Sequence, residues 1–143
     1  MRFVDTSFWY AAAHPSDTRH RQATALARAE RGRIVTTTLI VGETWTLLCR
    51  RHGHAAAVAF LDRLPLVPRL DVIDIEPPIA DEALTWLRRH DEREHSYVDA
   101  TSFAVMRRRR IREALAFDGD FAAAGFTTGP LSIASNSDTV TNL

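Results

Sequence analysis

The segment MRFVDTSFWYAAA (residues 1–13) predicts a β-strand that passes directly into an α-helix. Residues 2–4 form a short apolar strand, and the apolar run at residues 8–13 is expected to be helical. Between them lie Asp5, Thr6 and Ser7, and the hydroxyls of Thr6 and Ser7 are typical caps for the first turn of a helix. A strand that leads at once into a helix is the beginning of an α/β arrangement.

The rest of the chain continues this alternation of strands and helices. Patterns typical of β-strands, either β-branched or alternating, recur at residues 33–38, 70–75 and 113–117. A last edge strand is expected at residues 126–133. Helices are expected at residues 17–32, 38–53, 54–64, 77–91 and 96–110, with a short helix in DGDFAAAG (118–125). This order predicts an α/β sandwich around a mostly parallel sheet.

Length and composition are those of one globular domain. The chain has 143 residues, of which 45% are hydrophobic and 25% charged. No apolar run approaches the roughly 20 residues of a membrane span, and we expect no signal peptide. The single cysteine, Cys49, excludes an internal disulfide and suits a cytoplasmic location. We expect one domain at residues 1–131 and a polar, frayed tail at residues 132–143.

The positive and negative charges are balanced, but all the positive side chains are of one type. The formal net charge is +0, and all 18 basic residues are arginines because the sequence contains no lysine. Every positive side chain is therefore a permanently charged, forked donor suited to phosphate. The absence of lysine excludes a catalytic amine.

Two acidic residues follow predicted strands. Asp5 follows the first strand, and Asp118 follows the strand at residues 113–117. In open α/β sheets, ligands bind beyond the carboxyl ends of the strands, so both side chains are expected in that crevice. The alternative is that each aspartate only caps a helix or ends a strand.

Two further acids lie on apolar helix faces. Glu43 shares a face with Ile40 and Thr44, and Asp99 interrupts the apolar run YVDATSFAVM (97–106). A buried carboxylate paired with an arginine is the structural alternative for either residue. Two helices and two strand ends that all carry such an acid favour one shared site.

A shared site of four carboxylates predicts a metal-dependent reaction. The carboxylates would repel one another in a low-dielectric crevice, and a divalent cation relieves that repulsion. Oxygen ligands suit Mg²⁺ or Mn²⁺ better than zinc. The chemistry that such ions supply is hydrolysis of a phosphodiester.

Four motifs resemble those of the PIN-domain nucleases, most closely the VapC-type toxins of bacterial toxin–antitoxin pairs. They are VDTSFW (4–9), GETW (42–45), SYVDATSFAVM (96–106) and AFDGDF (116–121), and the resemblance extends from residue 1 to about residue 126. It implies a three-layer α/β/α sandwich in which Asp5, Glu43, Asp99 and Asp118 hold Mg²⁺ or Mn²⁺. It also implies an endoribonuclease that cuts RNA, including structured RNA such as tRNA, and a homodimer silenced by a cognate antitoxin.

The roles of several neighbouring residues stay open at this point. Asp120 could assist or replace Asp118, and Thr6 or Ser7 could bond a neighbouring carboxylate or only cap the first helix. The basic residues that end the helix of Asp99 are candidates for RNA binding, with a dipole-favoured helix terminus as the alternative: Arg107, Arg108 and Arg112. The six histidines show no metal-ligand spacing, so none is assigned to the site.

Three other functions are compatible with parts of the sequence. An aspartyl-phosphate phosphatase, suggested by DGD (118–120), is disfavoured because the chain has no lysine and only 23 residues follow Asp120. A catalytically inactive PIN-like module that binds RNA or protein is disfavoured by the intact set of acids. Cleavage of DNA instead of RNA stays open, because the metal chemistry needs no 2′-hydroxyl.

Overall fold

The structure is a computed structural model that describes residues 1–129 and contains one five-stranded parallel sheet. Its strands are β1 (Arg2–Val4), β2 (Ile34–Thr37), β3 (Leu70–Ile73), β4 (Glu113–Leu115) and β5 (Thr127–Gly129). Their order across the sheet is β3-β2-β1-β4-β5, and every neighbouring pair is parallel. The first strand of the chain therefore lies at the centre of the sheet.

Within residues 1–129, seven α-helices connect and cover the strands. They are α1 (Thr6–Ala13), α2 (His20–Ala29), α3 (Thr38–His52), α4 (His54–Arg63), α5 (Pro77–Arg89), α6 (Tyr97–Arg109) and the short α7 (Asp120–Ala123). Helices α1 to α4 pack against one another, and α5 packs against α6, which contacts α7. These two groups form the outer layers, so the three-layer α/β/α prediction is confirmed.

The predicted elements are present, with differences at their ends. Helix α2 begins at His20, after a turn, rather than at residue 17, and β3 and β4 end two residues earlier than expected. The sheet is wholly parallel, because each strand returns through at least one helix. The predicted domain boundary at residue 131 and the tail at residues 132–143 lie outside the described residues.

The strand order places a crevice between β1 and β4. From β1 the chain proceeds to β2 and β3 on one side of the sheet, then crosses to β4 and β5 on the other. Neighbouring strands whose connections leave in opposite directions open a gap beyond their carboxyl ends, which is where such folds bind ligands. Asp5 and Asp118 follow these two strands.

An aromatic cluster fixes the layer that carries α6. Phe103 is fully buried and contacts the rings of Phe121 and Phe126, with centroids 5.0 and 5.5 Å away. Phe121 also stacks on Phe3 of β1, at 5.9 Å. The cluster joins α6, α7 and the central strand, so the first turn of α6 has a fixed position beside the crevice.

No helix within residues 1–129 combines the length and the apolar character needed to cross a membrane.

A capping box starts helix α6. The Ser96 hydroxyl accepts a hydrogen bond from the Asp99 backbone N–H at 3.0 Å, and the Asp99 carboxylate accepts one from the Ser96 N–H at 3.0 Å. We expect Ser96→Ala to lower the free energy of unfolding by about 1 kcal/mol, because one N–H of the first turn loses its acceptor. Urea unfolding monitored by circular dichroism measures this change. Ser96→Asn, which retains an acceptor, is the control, and an unchanged free energy in Ser96→Ala would contradict the capping role.

Candidate metal centre

Asp5 is the buried starting point of the site. Its side chain is the N-cap of α1 and accepts a hydrogen bond from the Ser7 backbone N–H at 3.2 Å, so the expectation that Thr6 or Ser7 caps this helix is wrong. The extended backbone of Asp5 lets its carboxylate reach back over the first turn. Asp5 is only 2% exposed. Asp5 therefore both caps α1 and lies in the crevice beyond β1.

Ser7 connects Asp5 to the end of β4. Its hydroxyl donates to Asp5 Oδ2 at 2.8 Å and accepts from the Phe117 N–H at 2.9 Å. The Asp5 backbone N–H also donates to the Leu115 carbonyl at 3.1 Å. Ser7 thus bonds the neighbouring carboxylate, one of the two roles left open above. The Thr6 hydroxyl is buried and has no hydrogen-bond partner among the described residues.

Asp118 lies beside Asp5, and the pair perturbs the pKa of Asp5. Burial, followed by the negative charge of Asp118, raises the pKa of Asp5 from 3.8 to about 8. Hydrogen bonds from the Ser7 hydroxyl and N–H act in the opposite direction, and a bond shared with the Asp118 carboxyl raises the pKa further. Two ionised carboxylates are therefore disfavoured in this crevice unless a proton or a cation neutralises one of them.

Asp99 joins the site from the start of α6. It is the third residue of that helix, in the first turn, as the predicted helix at residues 96–110 implies; its side chain is 13% exposed and held by the capping box with Ser96. Burial raises the pKa of Asp99, the Ser96 N–H lowers it, and the charges of Asp120 and Asp118 raise it. The effect of these two charges places Asp99 in the same acidic cluster, which we define as Asp5, Asp99, Asp118 and Asp120.

Arg93 neutralises part of the acidic cluster. Its Nε donates to Asp120 Oδ1 at 2.6 Å, and the charges of Asp120, Asp118 and Asp99 all raise the pKa of its guanidinium. The Asp120 N–H in turn donates to Asp118 Oδ1 at 3.1 Å. A Cβ at position 119 would lie 3.1 Å from the Arg93 guanidinium, so Gly119 leaves room for this approach.

His95 also faces the cluster, contrary to the expectation that no histidine belongs to the site. Its side chain is 2% exposed, and its Nδ1 lies 4.0 Å from Asp99 Oδ2 and 4.0 Å from Asp120 Oδ1. The available signal was the four-residue spacing from His95 to Asp99. That spacing is informative only within a helix, and α6 begins after His95.

Glu43 is placed differently from the other acids. It was predicted on the apolar face of α3, but the buried line of that helix is Ile40, Thr44 and Leu48, and Glu43 is exposed. Consecutive residues are about 100° apart on a helix, so Glu43 lies on the flank of this line. It belongs to the second turn of a helix that begins at the carboxyl end of β2, beside β1. Within residues 1–129 its carboxylate has no ion pair.

The arginines predicted to bind RNA are engaged elsewhere or lie at a distance. Arg108 Nε donates to Glu82 at 2.7 Å, Arg107 lies 3.4 Å from the same carboxylate, and Arg112 is exposed. Arg107 is eight residues beyond Asp99 on α6, about 12 Å along the helix axis. RNA binding by these three residues stays a prediction.

The acidic cluster fits a hard divalent cation. Its donors are carboxylate oxygens, which Mg²⁺ and Mn²⁺ prefer, and they come from the ends of β1 and β4 and from α6. The raised pKa of Asp5 reflects the burial and the electrostatic repulsion that are expected when such a set of carboxylates lacks a counterion. The assignment of Asp5, Asp99, Asp118 and Glu43 as ligands of one ion stays a prediction, and the ligand atoms that the structure brings within 4.8 Å of one another belong to His95, Asp99 and Asp120.

A cavity of about 330 Å³ lies elsewhere on the molecule. It is lined mostly by apolar side chains of α1, α4 and the segment after α4, including Trp9, Phe60, Leu64 and Val67. Its one acidic residue, Glu30, is paired with Arg2 at 3.0 Å. A lining of this kind does not provide the oxygen ligands of a hydrolytic metal site.

The amino-acid sequence matches a known family and curated proteins. Residues 2–127 match the PIN domain. The chain is 52% identical over 127 residues to the 23S rRNA-specific endonuclease VapC20 of Mycobacterium tuberculosis, which is found in strains CDC 1551 and H37Rv. That alignment covers 88% of this chain and 95% of the relative.

Solved structures agree with the sequence match. The crystal structure of Mycobacterium tuberculosis VapC20, described as a Sarcin-Ricin loop cleaving toxin, superposes with a TM-score of 0.84 at 49% identity, over 89% of this chain and 97% of the other. FitAcB from Neisseria gonorrhoeae matches at a TM-score of 0.66 and 14% identity over 90% and 96% of the two chains, which concerns the fold alone. The resemblance noted in the sequence is confirmed: the chain belongs to the PIN-domain family.

Proposed function

We propose that this chain is a metal-dependent endoribonuclease that acts as the toxin of a toxin–antitoxin pair. The observation that carries the proposal is the acidic cluster at the β1/β4 crevice, in which Asp118 and burial raise the pKa of Asp5 to about 8. The predicted enzyme class, a nuclease, is confirmed by the family match and by the 52% identity to a curated endonuclease. Dependence on Mg²⁺ or Mn²⁺ is part of the proposal.

Four acidic residues have defined parts in this scheme. Asp5, Asp99 and Asp118 are proposed as cation ligands, and Glu43 as a fourth carboxylate from α3. Ser7 orients Asp5 through its 2.8 Å hydrogen bond, and the Ser96 N–H orients Asp99. When bound, a divalent cation would supply activation of water and neutralisation of charge at the scissile phosphate. The products expected are a 5′-phosphate and a 3′-hydroxyl.

The substrate proposed first is ribosomal RNA. VapC20 is named for action on 23S rRNA, and this chain is 52% identical to it over 127 residues, which are 95% of the relative. The tRNA suggested by the wider resemblance is the second choice. Exposed arginines beyond the cluster, including Arg112, are proposed as phosphate contacts, since a guanidinium binds phosphate through two parallel hydrogen bonds.

An RNA cleavage assay tests this function. We expect the metal-free protein to cut purified 23S rRNA at a discrete position only after Mg²⁺ or Mn²⁺ is added, with 5′-phosphate ends mapped by ligation and sequencing. The comparison substrates are a pool of tRNA and a single-stranded DNA that has the sequence of the 23S rRNA. Preferred cutting of the DNA would reverse the assigned substrate class. Cleavage that persists in EDTA, or no cleavage of any RNA, would contradict the proposal.

The partner proposed is a cognate antitoxin, and the assembly a homodimer in the cytoplasm. Two of the structural neighbours are complexes bound to DNA. One is FitAB bound to an IR36 DNA fragment, and the other is VapBC2 of Rickettsia felis bound to a DNA fragment from their promoter. These neighbours share 16% and 13% identity with this chain, so they support the partner class through the fold. Light scattering of the purified chain, alone and with the protein encoded beside it, measures both assemblies.

A further inference from the structure

His95 is held rigidly with one ring nitrogen unsatisfied. Its ring meets Trp86 and Phe103 edge-on, with centroids 5.0 and 5.5 Å away, so its orientation is fixed by packing. The side chain is 2% exposed, and Nδ1 is buried with no hydrogen-bond partner among the described residues. A buried polar atom without a partner is energetically unfavourable, which favours a ligand not yet accounted for.

The unsatisfied nitrogen points between two carboxylates. Asp99 Oδ2 and Asp120 Oδ1 each lie 4.0 Å from Nδ1, beyond the reach of a hydrogen bond. Ligand atoms of the three residues all lie within 4.8 Å of one another. Two metal–ligand bonds of about 2.0–2.2 Å each span up to roughly 4.4 Å, so one ion placed among these atoms could bond all three with small adjustments.

We propose that His95, Asp99 and Asp120 bind a divalent transition-metal ion, such as Mn²⁺ or Zn²⁺, through one nitrogen and two oxygens. The site extends the proposed function, because Asp99 would also serve the carboxylate site with Asp5 and Asp118. An imidazole ligand favours transition metals over Mg²⁺, which prefers oxygen and retains its waters. The chain therefore carries a determinant of metal preference in the loop before α6.

Groups already bound to the two carboxylates leave room for the ion. Asp99 Oδ2 accepts the Ser96 N–H, but a carboxylate oxygen has a second lone pair. Arg93 occupies Asp120 Oδ1, yet its side chain is 45% exposed and belongs to the loop between α5 and α6. An exposed guanidinium can move into solvent when a divalent ion takes its place beside Asp120.

Pulsed electron paramagnetic resonance of Mn²⁺ bound to the metal-free full chain tests the site. A directly bonded imidazole nitrogen modulates the Mn²⁺ spin echo, so the wild type is expected to show nitrogen modulation and His95→Gln to lose it. Removing even a supporting partner of a metal ligand costs about 10–100-fold in affinity, so His95→Gln should weaken Mn²⁺ binding at least about tenfold. Mg²⁺ affinity, measured by competition, should change far less.

Three further variants make the result specific. His54→Gln removes an exposed imidazole that packs beside Trp45, and its nitrogen modulation should be unchanged. Asp5→Asn should also retain the modulation, while Asp120→Asn should weaken Mn²⁺ binding. No modulation in the wild type, or modulation that survives in His95→Gln, would overturn the inference. Mg²⁺-dependent RNA cleavage in the same preparation would then leave the proposed nuclease function standing.

Discussion

Asp99→Asn is expected to lower the rate of RNA cleavage by at least about 10³-fold without unfolding the protein. The asparagine side chain retains an oxygen that can accept the Ser96 N–H, so the capping box at the start of α6 survives. It loses the negative charge that a cation requires at the boundary between the crevice and α6. The loss should therefore appear in the reaction and not in the folding transition.

The rate is measured on 23S rRNA at saturating Mg²⁺, by quantifying cut ends from wild type and Asp99→Asn. Asp62→Asn is the matched control, because Asp62 is an exposed aspartate of α4, away from the crevice. Circular dichroism and the urea midpoint verify that all three proteins are folded. Cleavage by Asp99→Asn within a fewfold of the wild type would remove Asp99 from the site.

Asp5→Asn is expected to stabilise the metal-free protein by a few kcal/mol at pH 8. Burial and Asp118 raise the folded-state pKa of Asp5 to about 8, whereas its ordinary value is 3.8. Between these two values the folded state binds more protons than the unfolded state, so the free energy of unfolding falls as the pH rises. One pKa unit is equivalent to about 1.4 kcal/mol, and asparagine does not incur this penalty.

The difference between Asp5→Asn and wild type is measured by urea unfolding in chelator-treated buffer from pH 4 to pH 9. It should be near zero at about pH 4, grow with pH, and level off above about pH 8. Mg²⁺ should stabilise the wild type more than the variant, because a bound ion adds stability only where its ligands are present. A stability difference that does not change with pH would contradict the proposed effect of burial and of Asp118 on Asp5.

Short stretches of sequence are enough to predict the fold and the positions of Asp5 and Asp118. Alternating strands and helices, with acids directly after the strands, place Asp5 and Asp118 in the crevice, because parallel strands bring their carboxyl ends to one edge. Asp99 is unusual in the sequence because it interrupts an apolar run. Its actual position in the first turn makes it both a cap and a site residue.

The remaining features depend on tertiary packing that periodicity does not describe. Glu43 matches the spacing of the apolar stripe on α3, yet the side that α3 buries is decided by its neighbours, and Glu43 is exposed. His95 and Arg93 lie in an irregular loop, where no period relates a residue to the direction of its side chain. The rings of Trp86 and Phe103 pack against His95 from distant parts of the chain, and Arg93 reaches Asp120 across the same loop.

The proposed metal centre requires Asp5, Asp99 and Asp118 to surround one hard cation. Anomalous X-ray scattering from crystals of the full chain grown with Mn²⁺ measures this directly. We expect a peak within about 2.0–2.5 Å of an oxygen of each of the three aspartates, and its loss in Asp5→Asn crystals. Saturating Mn²⁺ with no peak among these three side chains would contradict the proposed centre.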